Sequence, residues 1–274
     1  MKNLLASSDV VCPRPCGAQD DHQPFPQEGD LAKNLDLSLA QIGTRLLKEH
    51  NGVTYGYVIA TVKKTQTGNF RQEGCGPNFL GNLITLCTCK HRMRTFLNPQ
   101  GWAGKWIAGF TGASVNPRED ELVYLTKVEH AFPSHYQLWS SGKIPTETLR
   151  AKAARMERFG DLFEPLNLQK EMTEQESRDW RNYHPPAENH CHHPQQAPGQ
   201  WKSDIFYPKG CSGRPAALLV GDPQLSFLWR RPSIKLKGML HRGQRKWAFA
   251  HRVSLQSGGM FALIRSPKHR LPRA

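Results

Sequence analysis

The sequence predicts a compact α+β domain, either mixed or β-barrel-like, within a chain of 274 residues. Short segments rich in β-branched and aromatic residues outnumber the helical segments, and the connections between them vary in length. No regular strand–helix alternation is present, which argues against a doubly wound parallel sheet. We therefore expect a central sheet with flanking helices and disordered termini.

The predicted elements follow from local periodicity. Leucine and isoleucine at helical spacing predict an amphipathic helix over residues 35–50. Two further helices are expected, at Ser134–Trp139 and Thr146–Phe159, and the glycine-rich stretch Gly68–Gly81 is expected to be a loop. The predicted strands are Tyr55–Lys63, Leu83–Lys90, Trp102–Phe110, Glu121–Glu129, Ala216–Val220 and Phe227–Trp229, with a terminal hairpin from Lys246–Val253 and Met260–Arg265.

Composition divides the chain into three parts. Residues 1–34 begin with a stretch rich in Pro, Asp and Gln and without periodicity, so we expect a disordered or loosely attached segment. Residues 35–235 contain most of the predicted elements and form the expected α+β domain. Residues 236–274 form a basic C-terminal extension.

Most of the net charge of +14 lies at the C-terminal end. Residues 230–274 hold 12 basic and no acidic residues, interleaved with aromatic ones. Such a segment suits a phosphate backbone, because each neutralised phosphate releases counterions. The candidate backbone contacts are Arg230, Arg231, Lys235 and Lys237. The alternative is a solvated tail that like charges keep extended. A nucleic-acid partner is favoured over a membrane, since the segment has no amphipathic helical pattern.

Several enzyme classes lose support because their motifs are absent. The sequence has no phosphate-binding G-x-x-x-x-G-K-[ST], no H-E-x-x-H, no G-x-S-x-G and no C-x-x-C of a base deaminase. No apolar stretch is long enough for a transmembrane helix, and Asp9 comes too early for a signal peptide. Seven cysteines, an odd number, fit thiols in a reducing compartment. We expect a cytoplasmic protein.

Histidines cluster between residues 184 and 193, with Asp204 and Cys211 beyond them. Imidazole, thiolate and carboxylate are suitable ligands for zinc or iron. The weak candidates for a metal site are His190, Cys191 and His193. The segment is also rich in Pro and Gln, so a polar surface loop with accidental histidines is the alternative. The sequence specifies no cofactor.

Several short motifs occur in a distinctive order and spacing. The first block comprises Gly74–Phe79, Gly81, Thr85–Lys90, Arg92-x-Arg94, Gly104–Gly109, Leu122-Val123-Tyr124, Val128-Glu129, Phe132 and Tyr136-x2-Trp139. The second comprises His192 or His193, Asp204, Ala217–Val220, Phe227–Trp229 and Pro232-x-Ile234. In this order they resemble the nucleotide-modification-associated domains of phages and bacteria, most closely the second type. Lys105 and His91 depart from that pattern, where an acidic residue and a proline are expected.

The resemblance implies a role in or beside pathways that modify nucleobases or nucleotides, often in phage–host conflict. It covers about 180 residues, and the first block carries most of it. For the central domain we expect a PUA-like variant of the β-barrel-like fold.

The candidate nucleotide-binding residues lie in the first block. They are Gly74, Gly76, Asn78, Gly81, Lys90, Arg92 and Arg94. The glycines would let the backbone approach a ligand closely, and the Asn78 amide offers a donor and an acceptor to a base edge. The three cations would alternate on one strand face and hold phosphate oxygens. A tight turn and a solvated edge strand are the alternatives.

Three functional hypotheses follow. The first, which we favour, is a nucleotide- or nucleic-acid-binding module. The second is a metal- or acid/base-dependent enzyme that modifies or hydrolyses nucleotides, with catalytic candidates His193, Asp204 and Cys89. The third is a structural partner protein without nucleotide affinity.

Overall fold

The protein has a mixed α+β fold. The computed structural model describes residues 22–49, 54–190, 199–207, 215–237, 251–255 and 261–263. In these ranges no helix is both long and apolar enough to cross a membrane. The described α-helices are α1 Gly29–Lys33, α2 Leu39–Glu49, α3 His91–Arg94, α4 Pro99–Trp102, α5 His135–Ser140, α6 Thr146–Ala151 and α7 Lys202–Ile205. Single 3-10 turns occur at Leu80–Asn82, Glu176–Arg178 and Trp180–Asn182.

The described strands form one large sheet and one small hairpin. They are β1 Thr54–Val58, β2 Val62–Lys64, β3 Phe70–Gln72, β4 Thr85–Leu86, β5 Trp106–Phe110, β6 Leu122–Phe132, β7 Leu218–Leu228, β8 Leu236–Lys237, β9 His251–Leu255 and β10 Phe261–Leu263. The large sheet has the order β4-β7-β6-β5-β1-β9-β10-β8, and β2 pairs only with β3. Five of the strands form a curled half-barrel. The pairs β1–β5 and β8–β10 are parallel, and the others are antiparallel.

The centre of the sheet is buried on both faces. In β6, Leu122–Thr126 are all buried, and their burial does not alternate along the strand. This is typical of a strand that is covered on both faces. Helix α2 covers one face through Ile42 and Leu46, which are fully buried in a cluster that includes Trp106. That apolar spacing was the basis of the predicted helix over residues 35–50, and the structure confirms the helix for Leu39–Glu49.

Several predicted elements are shorter or divided. The predicted strand Tyr55–Lys63 divides into β1 and β2, and only Thr85–Leu86 of the predicted strand Leu83–Lys90 is a strand. The predicted helix Thr146–Phe159 ends at Ala151. Conversely, β7 is one irregular strand that spans the predicted turn at residues 221–223, with shifts of register against β6. The predicted terminal hairpin is confirmed in part: His251–Leu255 and Phe261–Leu263 pair in antiparallel fashion, and the rest of the predicted ranges lies outside the described residues.

Residues 22–34, which the sequence assigned to a disordered or loosely attached segment, pack against the central domain. Gln23 and Leu31 are fully buried. Gln23 Nε2 donates to Gly74 O (2.5 Å) and Pro77 O (2.9 Å), and its Oε1 accepts from Phe79 N (3.0 Å). A buried side chain with three backbone partners ties this segment to the central domain. Residues 1–21 lie outside the described residues. The predicted extension 236–274 contributes β8–β10 to the sheet.

Candidate functional site

The glycines of the predicted nucleotide-binding loop pack against the protein itself. A Cβ atom on Gly74 would lie 2.6 Å from Thr61 Cγ2, and one on Gly76 would lie 2.8 Å from Cys89 Sγ. Both positions are buried, whereas Gly81 is exposed with a φ of 62°. Intramolecular packing therefore accounts for the absence of side chains at Gly74 and Gly76, which agrees with the tight-turn alternative.

Asn78 is not available to read a base. It is fully buried, and its backbone pairs with that of Thr85 through hydrogen bonds of 2.9 and 2.8 Å. Its Nδ2 donates to Phe159 O (2.6 Å), and its Oδ1 accepts from Leu80 N (3.0 Å). Both ends of the amide are thus bonded inside the protein. The structure thus contradicts the predicted contact between Asn78 and a base, because Lys152 and Phe159, 74 and 81 positions away in the chain, bind its amide.

A buried lysine completes this network. Lys152 Nζ donates to Asn78 Oδ1 (2.7 Å) and to Asn78 O (3.2 Å). Burial lowers the pKa of Lys152 to about 8, while the nearby Asp161 carboxylate acts in the opposite direction. Asp161 in turn accepts from Thr85 Oγ1 (3.0 Å) and Cys87 N (3.2 Å), and burial raises the pKa of its carboxyl. These groups bond to one another, and they hold the loop and β4 together.

The three cations predicted to share a strand face do not share one. Lys90 has a left-handed backbone (φ 57°) and precedes helix α3, so the strand has already ended. Arg92 is exposed, Arg94 is fully buried and Lys90 is partly buried. The prediction of a joint phosphate site at Lys90, Arg92 and Arg94 is wrong, because a helical turn directs consecutive side chains around its axis.

Arg94 holds distant parts of the backbone together. Its Nε donates to Cys89 O (2.7 Å), and its Nη1 donates to Ala217 O (2.7 Å) and Ala216 O (3.3 Å). Desolvation lowers the pKa of the guanidinium. An arginine that bonds three carbonyls in the core has an evident structural function.

Two cysteine thiols meet beside the loop. Cys75 is buried and Cys89 is partly exposed, and neither is disulfide-bonded. Their side chains are hydrogen-bonded to each other, and Cys75 Sγ also lies 3.2 Å from Thr88 Oγ1. Burial raises the pKa of Cys75, whereas the hydrogen bond from Cys75 lowers the pKa of Cys89. The pair therefore consists of a thiol donor and a neighbour that favours the thiolate form.

Lys90 and a pair of tyrosines border the two thiols. The Lys90 ammonium lies 5.3 Å from the centre of the Tyr57 ring, and burial lowers its pKa to about 8. Tyr57 and Tyr124 are buried, and their hydroxyl oxygens are 2.8 Å apart. Burial raises the pKa of both phenols. The positive charge of Lys90 lowers the pKa of Cys89 further.

Asp204 faces the same group of side chains. It is buried in α7, and its Oδ1 lies 3.0 Å from His91 Nε2. The His91 ring stacks on Tyr207, with 4.7 Å between ring centres. The carboxylate acts electrostatically on both Cys75 and Cys89. Two of the three predicted catalytic candidates, Asp204 and Cys89, are thus close enough to interact electrostatically.

A groove of about 460 Å³ lies elsewhere, after the end of β7. Its lining residues are Asp36, Asn69, Arg230, Arg231 and Ser233. Asp36 holds Arg230 in place with two hydrogen bonds. Its Oδ1 accepts from the Arg230 backbone N (2.6 Å), and its Oδ2 accepts from Arg230 Nε (2.7 Å). Arg231 Nε donates to Asn69 Oδ1 (3.2 Å). Two of the predicted backbone contacts, Arg230 and Arg231, therefore line one concave surface. We call it the arginine groove.

The remaining predicted residues are distributed differently. Lys235 forms an exposed ion pair with Glu119 (2.6 Å), which raises its pKa. The side chain of Lys237 lies outside the described residues, as do Cys191 and His193. His190 contacts the Phe163 ring edge-to-face, with centres 6.0 Å apart. Among the residues that the structure describes, no group of three or more His, Cys, Asp or Glu side chains could hold a metal ion.

Sequence reasoning missed the partners of both sites. Cys75 lies between two glycines that were themselves predicted to bind nucleotide, and its proximity to Cys89 had no signal in the sequence. Asp36 and Asn69 reach the arginine groove from about 190 and 160 residues upstream of the arginines, so no local pattern marks them. Compared with known proteins, the chain matches no family model, no curated protein and no solved structure.

Proposed function

We propose that this protein is a nucleotide- or nucleic-acid-binding module, associated with nucleobase or nucleotide modification, that holds phosphate groups in the arginine groove. The observation that carries the proposal is the placement of two consecutive arginines, with Asn69 and Ser233, around one open concavity. Guanidinium groups and hydroxyls are the side chains that most often contact phosphate oxygens.

The electrostatics of the groove suit an anion. Two arginines against the single carboxylate of Asp36 leave an excess of positive charge. Each arginine uses its Nε for a bond inside the groove, and in the described part of the chain the terminal nitrogens of both make no hydrogen bond. Those terminal nitrogens are the donors that contact two phosphate oxygens at once. Asp36 and Asn69 pre-orient the side chains and so lower the entropic cost of binding.

The rest of the chain supports the same proposal. The basic residues beyond Arg231 would continue a path for a phosphate backbone from the groove. The curled five-stranded sheet supports a β-barrel-like, PUA-like domain. The ordered motifs of the first block support membership in the second type of nucleotide-modification-associated domains. A cytoplasmic location belongs to this proposal as well.

Salt-dependent binding tests the proposal. Fluorescence polarisation with labelled single-stranded DNA, duplex DNA and RNA would be measured across a salt series, using the full chain. Because each lost phosphate contact lowers the salt slope by about 1, we expect the variant carrying Arg230→Ala and Arg231→Ala to lose a slope of about 2. The matched control replaces two exposed cations outside the groove, Lys143→Ala and Arg150→Ala.

Two results would contradict the proposal. One is an unchanged affinity and salt slope in the groove variant. The other is an equal loss in the control variant, because binding would then reflect net charge rather than this groove. Free nucleoside triphosphates as competitors separate a nucleotide site from a polymer site, since only a polymer reaches beyond the groove.

The second candidate function is an acid/base-dependent enzyme that acts on nucleotides. The convergence of Asp204, His91 and Cys89 favours it, because perturbed ionisable groups cluster at catalytic sites. Incubation with a panel of nucleotides, followed by mass spectrometry of the products, tests this candidate. A product that disappears in Asp204→Asn but persists in the exposed-residue control Glu174→Gln supports it. Turnover unaffected by Asp204→Asn excludes it.

A further inference from the structure

The Cys75–Cys89 pair has the arrangement of a reactive dithiol. The two side chains are hydrogen-bonded although they lie 14 positions apart in the chain. The backbone of Gly76 packs so closely that even a methyl group there would meet Cys89 Sγ at 2.8 Å. The glycine therefore lets the loop that carries Cys75 lie directly against Cys89.

The two sulfurs differ in exposure and environment. Cys89 is partly exposed, whereas Cys75 is fully buried behind it and contacts Thr88 Oγ1. The Lys90 ammonium adds positive charge next to Cys89. The third described cysteine, Cys87, is buried next to Asp161, and burial raises its pKa. Among the three cysteines that the structure describes, only Cys89 thus combines partial exposure, a lowered pKa and a hydrogen bond with a second thiol.

We propose that Cys89 and Cys75 form a site of reversible two-electron oxidation, in which Cys89 reacts with a hydroperoxide and Cys75 then closes a disulfide. This activity is separate from the arginine groove and goes beyond phosphate binding. Its substrate class is a small hydroperoxide, and hydrogen peroxide is the probe used below.

The chemistry balances in two steps. The Cys89 thiolate attacks one oxygen of hydrogen peroxide, so that an S–O bond forms, the O–O bond breaks and hydroxide leaves to take up a proton as water. Cys89 is then a sulfenic acid. The Cys75 sulfur next attacks the Cys89 sulfur, the S–S bond forms, and the leaving hydroxide takes the Cys75 proton as a second water. Two thiols are oxidised by two electrons, and one peroxide is reduced.

Mass spectrometry of the full-length protein tests the proposal. The reduced protein and glutathione, as an internal competitor, are mixed with hydrogen peroxide, and the remaining thiols are then alkylated. Trypsin leaves Cys75, Cys87 and Cys89 in one peptide, residues 72–90. We expect this peptide to lose two hydrogens before glutathione is oxidised, and dithiothreitol to reverse the change. Chymotrypsin then cleaves the backbone after Phe79 and Leu86, which places Cys75 on one fragment and Cys87 and Cys89 together on another. A disulfide from Cys75 keeps these two fragments joined.

Variants assign the two roles. In Cys75→Ser we expect no disulfide and a Cys89 sulfenic acid that dimedone captures. In Cys89→Ser we expect neither the disulfide nor a dimedone adduct on Cys75. The matched control Cys87→Ala should still form the disulfide, which also establishes that Cys89 is the partner. The proposal is overturned if glutathione is oxidised first in the wild-type protein, or if the disulfide requires Cys87. The comparison with glutathione uses the wild-type protein alone, so a misfolded variant cannot hide that outcome.

Discussion

The loop region Gly74–Arg94 and the arginine groove contain the same kinds of side chain in opposite circumstances. In the loop region, Arg94 is enclosed and bonds three backbone carbonyls. In the groove, the Arg230 side chain is 48% exposed and is fixed by one carboxylate. A buried cation with every partner inside the protein is committed to the fold, whereas a cation fixed at its Nε at the rim of a concavity can still bind a ligand.

The sequence motifs favour the loop region as the ligand-binding site, whereas the exposure of the side chains favours the arginine groove. The first motif block carries the stronger resemblance, yet most of its predicted ligand contacts serve packing. The groove residues come from a simple basic segment, but they are the ones that face an open volume. Burial, which the sequence does not reveal directly, decides between the two interpretations of a charged residue.

The largest expected effect is the loss of stability in Arg94→Leu. Three carbonyl groups, one buried and two partly buried, would lose their donor at about 1 kcal/mol or more each, so the free energy of unfolding should fall by about 3 kcal/mol. Urea denaturation followed by circular dichroism measures it. Arg92→Ala, on the same helical turn but exposed, should stay within about 0.5 kcal/mol of the wild type. Equal stability losses in the two variants would break the comparison.

The next effect concerns the glycines. Gly76→Ala should destabilise the protein by about 1–3 kcal/mol, because the added methyl group would overlap the Cys89 side chain. Gly43→Ala is the matched control, since a Cβ there meets no atom within 4 Å and the residue lies inside α2. That control should stabilise by about 0.5–1 kcal/mol through helix propensity. Thermal unfolding distinguishes the opposite signs, and a tolerated Gly76→Ala would show that the loop does not pack tightly on Cys89.

A smaller effect is the dependence of stability on pH. The pKa of Lys90 and of Lys152 is about 8 in the folded protein and is ordinarily 10.5. Between these values the unfolded chain binds more protons, so the free energy of unfolding should rise with pH. From pH 8 to 9 each lysine should contribute a rise of about 1 kcal/mol, which the raised pKa of Cys75 and of Cys87 offsets in part. Lys152→Met should remove the contribution of one lysine, whereas the groove variant should keep both. A flat profile from pH 8 to 9 would contradict the burial of these two charges.

The smallest effect is expected from Arg230→Ala. Its ion pair with Asp36 is substantially exposed, and such pairs contribute about 0–1 kcal/mol. The melting temperature should therefore barely change, although phosphate binding weakens. A large loss of stability would show that Arg230, like Arg94, mainly supports the fold.

Parts of the fold were predictable from local pattern. Helix α2 follows from apolar residues at helical spacing, and the buried strand β6 follows from its continuous apolar run. The segment after Leu86 was not predictable, because Lys90 takes a left-handed backbone and Arg94 bonds carbonyls more than 120 residues downstream. The alternation of residue types continues through this segment and predicts that the strand continues. The chain instead leaves the strand and turns, so that Arg94 bonds those distant carbonyls.

The residues of the candidate sites were likewise predictable only where a local sequence pattern marks them. Arg230 and Arg231 could be identified from charge alone, since the basic excess begins at these two residues. Their partners could not, because Asp36 and Asn69 reach the groove only through the fold. Likewise, Cys89 and Asp204 were separate candidates, and only tertiary packing of α7 brings the carboxylate within electrostatic range of the thiol.

Gln23 has a consequence for how this chain is made. Its side chain forms hydrogen bonds with Gly74, Pro77 and Phe79 of one turn, which follow it in the chain by 51 to 56 positions. On the ribosome, the stretch around Gln23 is synthesised first and must wait, without its partners, until that turn has emerged. Recombinant fragments that start at residue 35 would leave two carbonyls and one amide of the turn without the bonds that Gln23 supplies.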